Sequence, residues 1–245
     1  MTKDEPLLLS VVVPAYNEEG RISQTLRAID QFFSVKGFDY EIIVVDDGSR
    51  DQTPAVVTSL KIDRLRLVNY GQNRGKGFAV NYGVKQAEGA WILFTDADNS
   101  TAIEQFDQLF QAASEYRVII GSRYLPASHI TVRQGIPRII LGRLGNLLVQ
   151  ALILPGIKDS QCGFKLFEAS QAKEIFRLQT IWRWGFDMEI LRIAKERGLK
   201  IKELPIIWRN DDQSKIQSSR VFISTLGELF RIKLNSLLGR YRPAH

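Results

Sequence analysis

Apolar runs of strand length alternate with helical stretches through the first half of the chain. The first run, residues 7–13, leads into Pro14 and a polar turn, and apolar residues then recur at helical spacing from about residue 18 to 33. Similar runs follow at residues 41–45, 65–68, 91–95 and 118–120, with helices predicted after Asp51, Lys76 and Thr101. Strands that are apolar on both faces and alternate with helices predict an α/β fold with a mostly parallel, doubly covered sheet.

Polar clusters follow the first four predicted strands. They comprise Pro14, Tyr16 and Glu18 after the first strand, Asp46 and Asp47 after the second, Lys76 after the third, and Asp96 and Asp98 after the fourth. Ligands of such sheets bind at the carboxyl ends of the strands, so these four loops are expected to line one pocket. A single polar residue after a strand is often only the N-cap of the next helix, which is our interpretation of Asp51 and Thr101.

The fourth apolar run ends on two carboxylates, Asp96 and Asp98, with no lysine or arginine adjacent to either in the sequence. Carboxylates spaced in this way can share a divalent cation, and Mg²⁺ takes one or two carboxylates together with phosphate oxygens. Without a neighbouring cation, the pair is expected to remain unfavourable until a metal or another positive group arrives. A metal held there would stabilise a diphosphate as a leaving group.

Composition restricts the class of protein. The chain has 245 residues, of which 44% are hydrophobic and 24% charged, as expected for one large folded domain. The net charge of +6 indicates an anionic partner, which could be a nucleotide, a nucleic acid or an acidic membrane surface. The absence of a GxGxxG motif after the first strand disfavours a nicotinamide enzyme.

Features of the whole chain favour a reducing cytosolic setting. There is a single cysteine, Cys162, and the N-terminus lacks the pattern of a signal peptide. No apolar run reaches the roughly 20 residues that a membrane-spanning helix needs. Cys162 is interpreted as a residue of the core, and so are Trp182 and Trp184, for which the alternative is that they line a groove for a second substrate.

One segment of the chain is basic and free of acidic residues. Between residues 116 and 158 the charged residues are Arg117, Arg123, Arg133, Arg138, Arg143 and Lys158. This segment suits an anionic acceptor, and a phosphate monoester, with a second pKa of about 6, can act as a nucleophile without a general base. A hydroxyl acceptor would instead require a carboxylate base, for which Asp187 is the candidate. Asp187 has an alternative interpretation as a buried aspartate that fixes its helix.

Eight motifs between residues 8 and 216 occur in the order found in one enzyme family. They are VVVPAYNEEG, VVDDGSRD, NRGKGFAVNYG, FTDADNS, IGSRY, DSQCGFKLF, RWGFDMEIL and SKI. The chain resembles the inverting family 2 glycosyltransferases of the GT-A fold, and within them the dolichyl-phosphate β-glucosyltransferases and dolichyl-phosphate mannose synthases. The resemblance implies a single Rossmann-like GT-A domain at residues 1–215, followed by a basic amphipathic helix at residues 216–245.

The resemblance also implies a reaction. Glucose from UDP-glucose would pass with inversion to a polyprenyl phosphate, such as dolichyl or undecaprenyl phosphate, for membrane glycan assembly. GDP-mannose is the alternative donor, a glycan hydroxyl is the alternative acceptor, and a non-catalytic nucleotide-sugar-binding subunit is a further alternative. No nucleic-acid partner is expected.

Roles for single residues follow from the same resemblance. Pro14, Tyr16, Glu18, Asp46 and Asp47 would hold the nucleoside, Lys76 would lie near the nucleotide, Asp96 and Asp98 would hold Mg²⁺ or Mn²⁺, and Lys215 would close on the diphosphate. Arg123 would bind the acceptor phosphate together with Arg138, for which Arg133 and Arg143 are alternatives. Asp98, Arg123 and Asp187 are therefore the candidate catalytic residues. Asn99, directly after Asp98, departs from the residue that related enzymes often carry.

Two amphipathic stretches suit contact with a lipid. Residues 136–154 are predicted to form a helix with Arg143, Asn146 and Gln150 as polar positions. Near the C-terminus, apolar residues recur at helical spacing beside arginines and lysines, at Ile223, Leu226, Phe230, Leu234 and Leu237. Such stripes favour an anionic membrane surface, and packing on the sheet or on a second subunit is the alternative. The protein is expected to be cytoplasmic and peripheral at the cytoplasmic face of the membrane, bound directly or through a membrane-anchored partner.

Overall fold

The computed structural model describes residues 7–131, 145–209 and 218–242, with only the backbone described at residues 218–223. Its strands are β1 (Leu9–Ala15), β2 (Tyr40–Asp46), β3 (Leu65–Asn69), β4 (Trp91–Thr95), β5 (Val118–Ser122), β6 (His129–Ile130), β7 (Phe164–Glu168), β8 (Ile201–Pro205) and β9 (Ile207–Trp208). Its helices are α1 (Ile22–Lys36), α2 (Thr53–Ser59), α3 (Lys76–Gln86), α4 (Phe106–Gln111), α5 (residues 145–152), α6 (Ala169–Arg177), α7 (Phe186–Glu196) and α8 (Ser218–Leu237).

Seven strands form one mixed sheet in the order β3-β2-β1-β4-β7-β5-β8. β1 pairs in parallel with β2 and β4, β2 with β3, and β5 with β8, which confirms the predicted, mostly parallel α/β sheet. The exception is β7, which lies antiparallel between β4 and β5. Because β7 runs in the opposite direction, its first residue, Phe164, pairs with Thr95 at the carboxyl end of β4. The residues that precede β7 therefore reach the edge of the sheet where the ligand-binding loops were predicted.

Alternate residues of the central strands pack on opposite faces of the sheet. Val12 and Phe94 belong to a core formed with α3, α6, α7 and α8, whereas Val11 and Leu93 belong to a core formed with α1, α2 and α4. Every residue of β1 is buried, as expected for a strand covered on both sides. This burial fixes where each strand ends, and so where its following loop leaves the sheet.

The first two helix starts illustrate how loop contacts set helix boundaries. α1 begins at Ile22 rather than near residue 18, because the chain around Glu18 is held in a turn in which the Glu18 N–H donates to Thr53 Oγ1 at 2.7 Å. Asp51 was predicted to cap α2, but the N-cap residue is Gln52, and Asp51 instead holds the turn just before the helix, where its carboxylate accepts a hydrogen bond from the Thr53 N–H at 2.9 Å.

Two other predictions are wrong. Thr101 is not a helix cap, because it forms a β-bridge with Trp208 and the next turn, a 3₁₀ turn, begins only at Ile103. Trp182 and Trp184 are not core residues, since more than a third of each is exposed. The remaining member of that predicted core group, Cys162, is buried, and burial raises the pKa of its thiol to about 12.

One face of α8 packs against the domain. Leu229 and Ile232 are buried in the core that includes α7. Just beyond the helix, the Tyr241 hydroxyl donates to the buried Glu189 carboxylate of α7 at 2.7 Å. No helix within the described residues combines the length and apolar character needed to cross a membrane.

Candidate active site

The loops after β1 and β2 meet at the carboxyl edge of the sheet. Ala15 and Asp46 are register partners, so the two strands end side by side. The backbone N–H of Asn17 donates to Ser49 Oγ at 3.0 Å, which connects one loop to the other. Asn17 has a φ of 56°, a left-handed conformation that asparagine tolerates better than most residues. The first two predicted clusters therefore come together.

Three predicted nucleoside-binding residues lie where β1 ends. Pro14 is buried within the strand, and Tyr16, directly beyond it, is partly exposed. Glu18 forms an ion pair with Arg21 that uses both carboxylate oxygens. Of the three, Tyr16 thus presents the most accessible surface for stacking on a base.

Asp47 organises the third loop. Its carboxylate accepts hydrogen bonds from Tyr70 Oη at 2.6 Å, Asn73 Nδ2 at 2.9 Å, the Arg74 N–H at 2.7 Å and the Gly75 N–H at 2.9 Å. Burial, and then this carboxylate, raise the pKa of Tyr70 above its ordinary value. Four internal donors leave Asp47 little capacity for a ligand, so its geometry is that of a residue that positions the loop carrying Lys76.

Asp46 is used less by the protein itself. Its Oδ1 accepts one hydrogen bond, from the Ser49 N–H at 3.1 Å, and the residue is almost fully buried. An ionised carboxylate can accept several more hydrogen bonds. Of the two neighbouring aspartates, Asp46 therefore keeps the greater capacity to accept a donor from a nucleoside base.

Asp96 already has a cationic partner. Lys76 Nζ, at the start of α3, lies 2.6 Å from Asp96 Oδ1. The sequence analysis expected the pair to remain unfavourable until a metal or another positive group arrives, and for Asp96 that group is Lys76, which lies 20 positions earlier in the chain. Burial alone would lower the pKa of Lys76, but the charges of Asp96 and Asp187 raise it above its ordinary value.

Asp98 has no such ion-pair partner among the residues that the structure describes. Its Oδ1 accepts the Ser100 N–H at 2.9 Å, and burial, followed by the charge of Asp96, raises the pKa of its carboxyl above the ordinary value. Asn99, directly after Asp98, has a φ of 54°, a left-handed conformation that explains an asparagine at this position. The pair of carboxylates is thus only partly neutralised, and hard oxygen donors of this kind suit Mg²⁺ or Mn²⁺.

Gly163, just before β7, packs directly against Asp96. A Cβ atom at Gly163 would lie 2.0 Å from Asp96 Oδ2, much closer than any real contact. Only glycine therefore leaves room for this carboxylate. The motif DSQCGFKLF thus includes a residue that shapes the site through its missing side chain, and that role is not visible without the position of β7.

Asp187 lies in a second, fully buried ion pair. Its Oδ1 contacts Lys165 Nζ, which also donates to the carbonyl oxygen of Cys162. Burial raises the pKa of Asp187 above its ordinary value, and the charges of Lys165 and Lys76 offset this only in part. A carboxylate held by a buried lysine has the geometry of the second interpretation from the sequence, the fixing of α7, rather than that of an accessible general base.

Arg123 is held at the end of β5 by residues that the sequence analysis did not single out. Its Nε and Nη2 donate to the two oxygens of Asp159, each at 2.8 Å, and its backbone N–H donates to the same carboxylate. Its guanidinium also lies 5.4 Å from the ring centre of Trp208. Burial would lower the pKa of Arg123, but Asp159 raises it, so the group remains a cation.

The loop that carries Asp159 is itself fixed. The Glu203 carboxylate of β8 accepts the N–H groups of Lys158 and Asp159, at 2.8 and 2.9 Å. The sequence signal for this arrangement is the first acidic residue after the long basic segment, Asp159, within the motif DSQCGFKLF. Glu203, the residue of β8 that accepts these hydrogen bonds, has no comparable signal in the sequence.

Several predicted residues lie outside the described residues. These are Arg133, Arg138 and Arg143, within residues 132–144, and Lys215, within residues 210–217. In the part of the chain that the structure describes, no three His, Cys, Asp or Glu side chains form a group able to hold a metal. Asp96 and Asp98 therefore offer a divalent cation a partial set of ligands, as Mg²⁺ sites that also use phosphate oxygens do.

Comparisons with known sequences extend over nearly the whole chain. Residues 10–176 match the family described as Glycosyl transferase family 2. Over 251 aligned positions the chain is 36% identical to the dolichyl-phosphate beta-glucosyltransferase of Dictyostelium discoideum, covering 96% of this chain and 77% of that protein. It is 35% identical over 260 positions to the protein of the same name from Saccharomyces cerevisiae, covering 98% and 78%.

Solved structures share the fold at lower identity. Mannosyl-3-phosphoglycerate synthase from Rubrobacter xylanophilus has a TM-score of 0.73 at 18% identity, covering 98% of this chain and 77% of that one. Glucosyl-3-phosphoglycerate synthase from Mycobacterium tuberculosis, crystallised with Mn²⁺ and UDP-glucose, has a TM-score of 0.64 at 18% identity, covering 97% and 80%. These likenesses confirm the GT-A fold.

Proposed function

Because the chain belongs to glycosyl transferase family 2, we propose that this hexosyltransferase moves glucose from UDP-glucose, with inversion, onto a polyprenyl phosphate. The observation that carries the proposal is the similarity to dolichyl-phosphate beta-glucosyltransferases, which extends over 96% of the chain. The reaction requires one site for the donor diphosphate and one for the acceptor. Two groups of charged residues at the carboxyl edge of the sheet suit these roles.

The donor site is proposed at the ends of β1, β2 and β4. Asp46 would accept a hydrogen bond from the base and Tyr16 would stack on it, while Asp96 and Asp98 would bind Mg²⁺ or Mn²⁺. A bound metal would neutralise charge on the departing diphosphate. Lys76 would add positive charge beside the same phosphates, and Lys215 keeps the role of closing on them that the family resemblance implies.

The acceptor site is proposed at the end of β5. Arg123 is fixed by Asp159 and Trp208, so its guanidinium is oriented before the acceptor arrives, which lowers the entropy lost on binding. Arg138 keeps its proposed role as the second arginine. A dianionic phosphate can attack the anomeric carbon without a base, which agrees with an Asp187 that is buried against Lys165. Asp187 would then position α7 rather than accept a proton.

The direct test offers the purified protein a panel of donors and acceptors. The donors are labelled UDP-glucose, GDP-mannose and UDP-N-acetylglucosamine, and the acceptors are a polyprenyl phosphate, its unphosphorylated alcohol and a glucose oligosaccharide. With Mn²⁺ present, label from UDP-glucose is expected in the organic phase only with the polyprenyl phosphate. Transfer from GDP-mannose alone would correct the donor, and label on the oligosaccharide alone would overturn the phosphate acceptor.

A lipid acceptor requires that the enzyme reach a membrane surface, and α8 carries a face suited to that contact. Phe230, Leu234 and Leu237 are 66%, 56% and 71% exposed. Exposed Arg231 and Arg242 lie close to them in sequence. Apolar side chains beside arginines favour an anionic lipid surface, so we propose that this stripe, Phe230, Leu234 and Leu237, contacts the membrane.

The described part of α5 adjoins the same region. Lys233 Nζ donates to the Leu152 carbonyl oxygen at 3.0 Å, and Leu147 of α5 is also largely exposed. α5 includes part of the stretch 136–154 in which the sequence predicted an amphipathic helix. Both predicted lipid-facing stretches therefore suit the same surface.

The double variant Leu234→Ser/Leu237→Ser should bind anionic vesicles about tenfold more weakly, because each leucine contributes part of the ~1.5–3 kcal/mol of a fully buried leucine. Co-sedimentation with vesicles of phosphatidylcholine and phosphatidylserine measures this. Val35→Ser is the control, since Val35 lies on α1 and is 83% exposed. Equal loss of binding in both variants, or in neither, would exclude the stripe as the contact surface.

A further inference from the structure

The ion pair between Lys76 and Asp96 occupies an oxygen that a metal at Asp96 would need. Lys76 Nζ lies 2.6 Å from Asp96 Oδ1. The other oxygen, Oδ2, faces Gly163, whose backbone is so close that a Cβ there would lie 2.0 Å away. With one oxygen covered by backbone and the other bound to an ammonium, a divalent cation and Lys76 compete for Oδ1.

The competition between Lys76 and a divalent cation affects the net charge of a cluster of ionisable residues around Asp96. Three carboxylates, those of Asp96, Asp98 and Asp187, lie near two lysines, Lys76 and Lys165. Both ammonium groups lie over the Phe94 ring, at 5.3 and 5.6 Å from its centre. When all five groups are ionised, the three carboxylates and two ammonium groups carry a net charge of −1. Removal of one lysine would leave a net charge of −2. Lys76 therefore reduces the negative charge of the site while no ligand is bound.

Lys165 and Lys76 differ in how free they are to move. Lys165 is fully buried and bound to both Asp187 and the Cys162 carbonyl. Lys76 keeps about a fifth of its side chain exposed, and its ion pair within the described part of the chain is with the partly exposed Asp96. Of the two, only Lys76 can leave its carboxylate without leaving a cation buried and unpaired.

We propose that Lys76 is an exchangeable counter-ion: it holds Asp96 Oδ1 in the free enzyme and transfers to the donor diphosphate when a divalent cation takes that oxygen. This inference rests on the proposed function, because it requires a metal and a diphosphate at this edge of the sheet. Each ligand would then favour binding of the other, since Lys76 would leave Asp96 for the diphosphate. Such coupling is reciprocal, so it can be measured from either ligand.

The test measures Mn²⁺ affinity of the folded protein by the electron paramagnetic resonance signal of free Mn²⁺, with and without UDP. Without UDP, Lys76→Met should bind Mn²⁺ about tenfold more tightly than the unaltered enzyme, because the competing cation is gone. With UDP, the order should reverse, because the variant cannot neutralise the diphosphate. Lys85→Met, on the exposed end of the same helix, removes the same charge and should match the unaltered enzyme in both conditions.

Two further variants keep the test decisive. Lys76→Arg retains the charge and should bind Mn²⁺ without UDP no more tightly than the unaltered enzyme, whereas Lys76→Gln should repeat the result of Lys76→Met if that variant does not fold. Equal Mn²⁺ affinity of the enzyme and the neutral variants without UDP would overturn the exchange and leave the metal role intact. If none of the folded proteins binds Mn²⁺ with or without UDP, the metal role fails as well.

Discussion

Replacement of Asp98 by alanine is expected to lower kcat/KM for hexosyl transfer by about 100-fold or more, the range typical of a lost transition-state charge contact. Asp98 and Asp96 are the only carboxylates in the predicted fourth loop, and Lys76 already engages Asp96. Loss of Asp98 would therefore leave a divalent cation with one protein ligand that it must share. Initial rates with saturating polyprenyl phosphate and varied UDP-glucose and Mn²⁺ measure the effect.

The same replacement should not destabilise the fold. Burial and the charge of Asp96 raise the pKa of Asp98 in the folded protein, so its contribution to stability is present at low pH and lost as the pH rises through the folded pKa. At neutral pH the ionised carboxylate is unfavourable, and Asp98→Asn, which keeps an acceptor for the Ser100 N–H, should unfold at the same temperature or higher. Full activity of a folded Asp98→Ala variant would overturn the metal role.

Asp63→Asn is the matched control, since Asp63 lies on an exposed loop between α2 and β3 and its replacement removes the same charge. Its rates are expected to equal those of the unaltered enzyme. Comparison of the two asparagine variants separates the loss of a ligand from a general change in net charge.

The sequence predicted the first four strands and the loops that follow them because those strands are continuously apolar and each loop follows directly. The positions of Asp46, Asp47, Asp96 and Asp98 at one edge need only a parallel sheet, and the structure has one there. What the sequence could not give was the partner of each charge. Lys76 reaches Asp96 from another loop, and such pairs depend on the order of strands rather than on spacing along the chain.

The antiparallel strand β7 is an element of the fold that the sequence analysis did not predict. Its run of apolar residues is interrupted by Lys165, and a lysine inside a short run argues against a strand buried on both faces. The lysine is nevertheless fully buried, because Asp187 neutralises it from α7, 22 positions away. Without that pairing the sequence gives no reason for an antiparallel strand between β4 and β5, nor for the contact of Gly163 with Asp96.

The buried pair of Lys165 and Asp187 leads to the second large expected effect, on stability. Lys165→Met would leave the Asp187 carboxylate buried without a cation, and removal of one partner of such a pair typically costs about 3–5 kcal/mol of unfolding free energy. The double variant Lys165→Met/Asp187→Leu removes both charges and should recover most of that loss. Urea unfolding followed by tryptophan fluorescence measures the three free energies.

A surface pair gives the control for stability. Lys36 Nζ and Asp107 Oδ2 lie 2.6 Å apart with side chains 34% and 54% exposed, and Lys36→Met is expected to cost less than about 1 kcal/mol. If Lys165→Met costs no more than Lys36→Met, the buried pair does not stabilise the fold in the way its geometry indicates.

The folded double variant also decides between the two interpretations of Asp187. If the acceptor is a phosphate that attacks without a base, the enzyme needs Asp187 only to fix α7 beside Lys165, and the double variant should keep transfer to polyprenyl phosphate within about tenfold. A general base cannot be replaced by leucine, so a loss of about 1000-fold in a protein of recovered stability would make Asp187 the base. The double variant therefore distinguishes the two roles, because leucine can fill the space of the carboxylate and restore stability but cannot accept a proton.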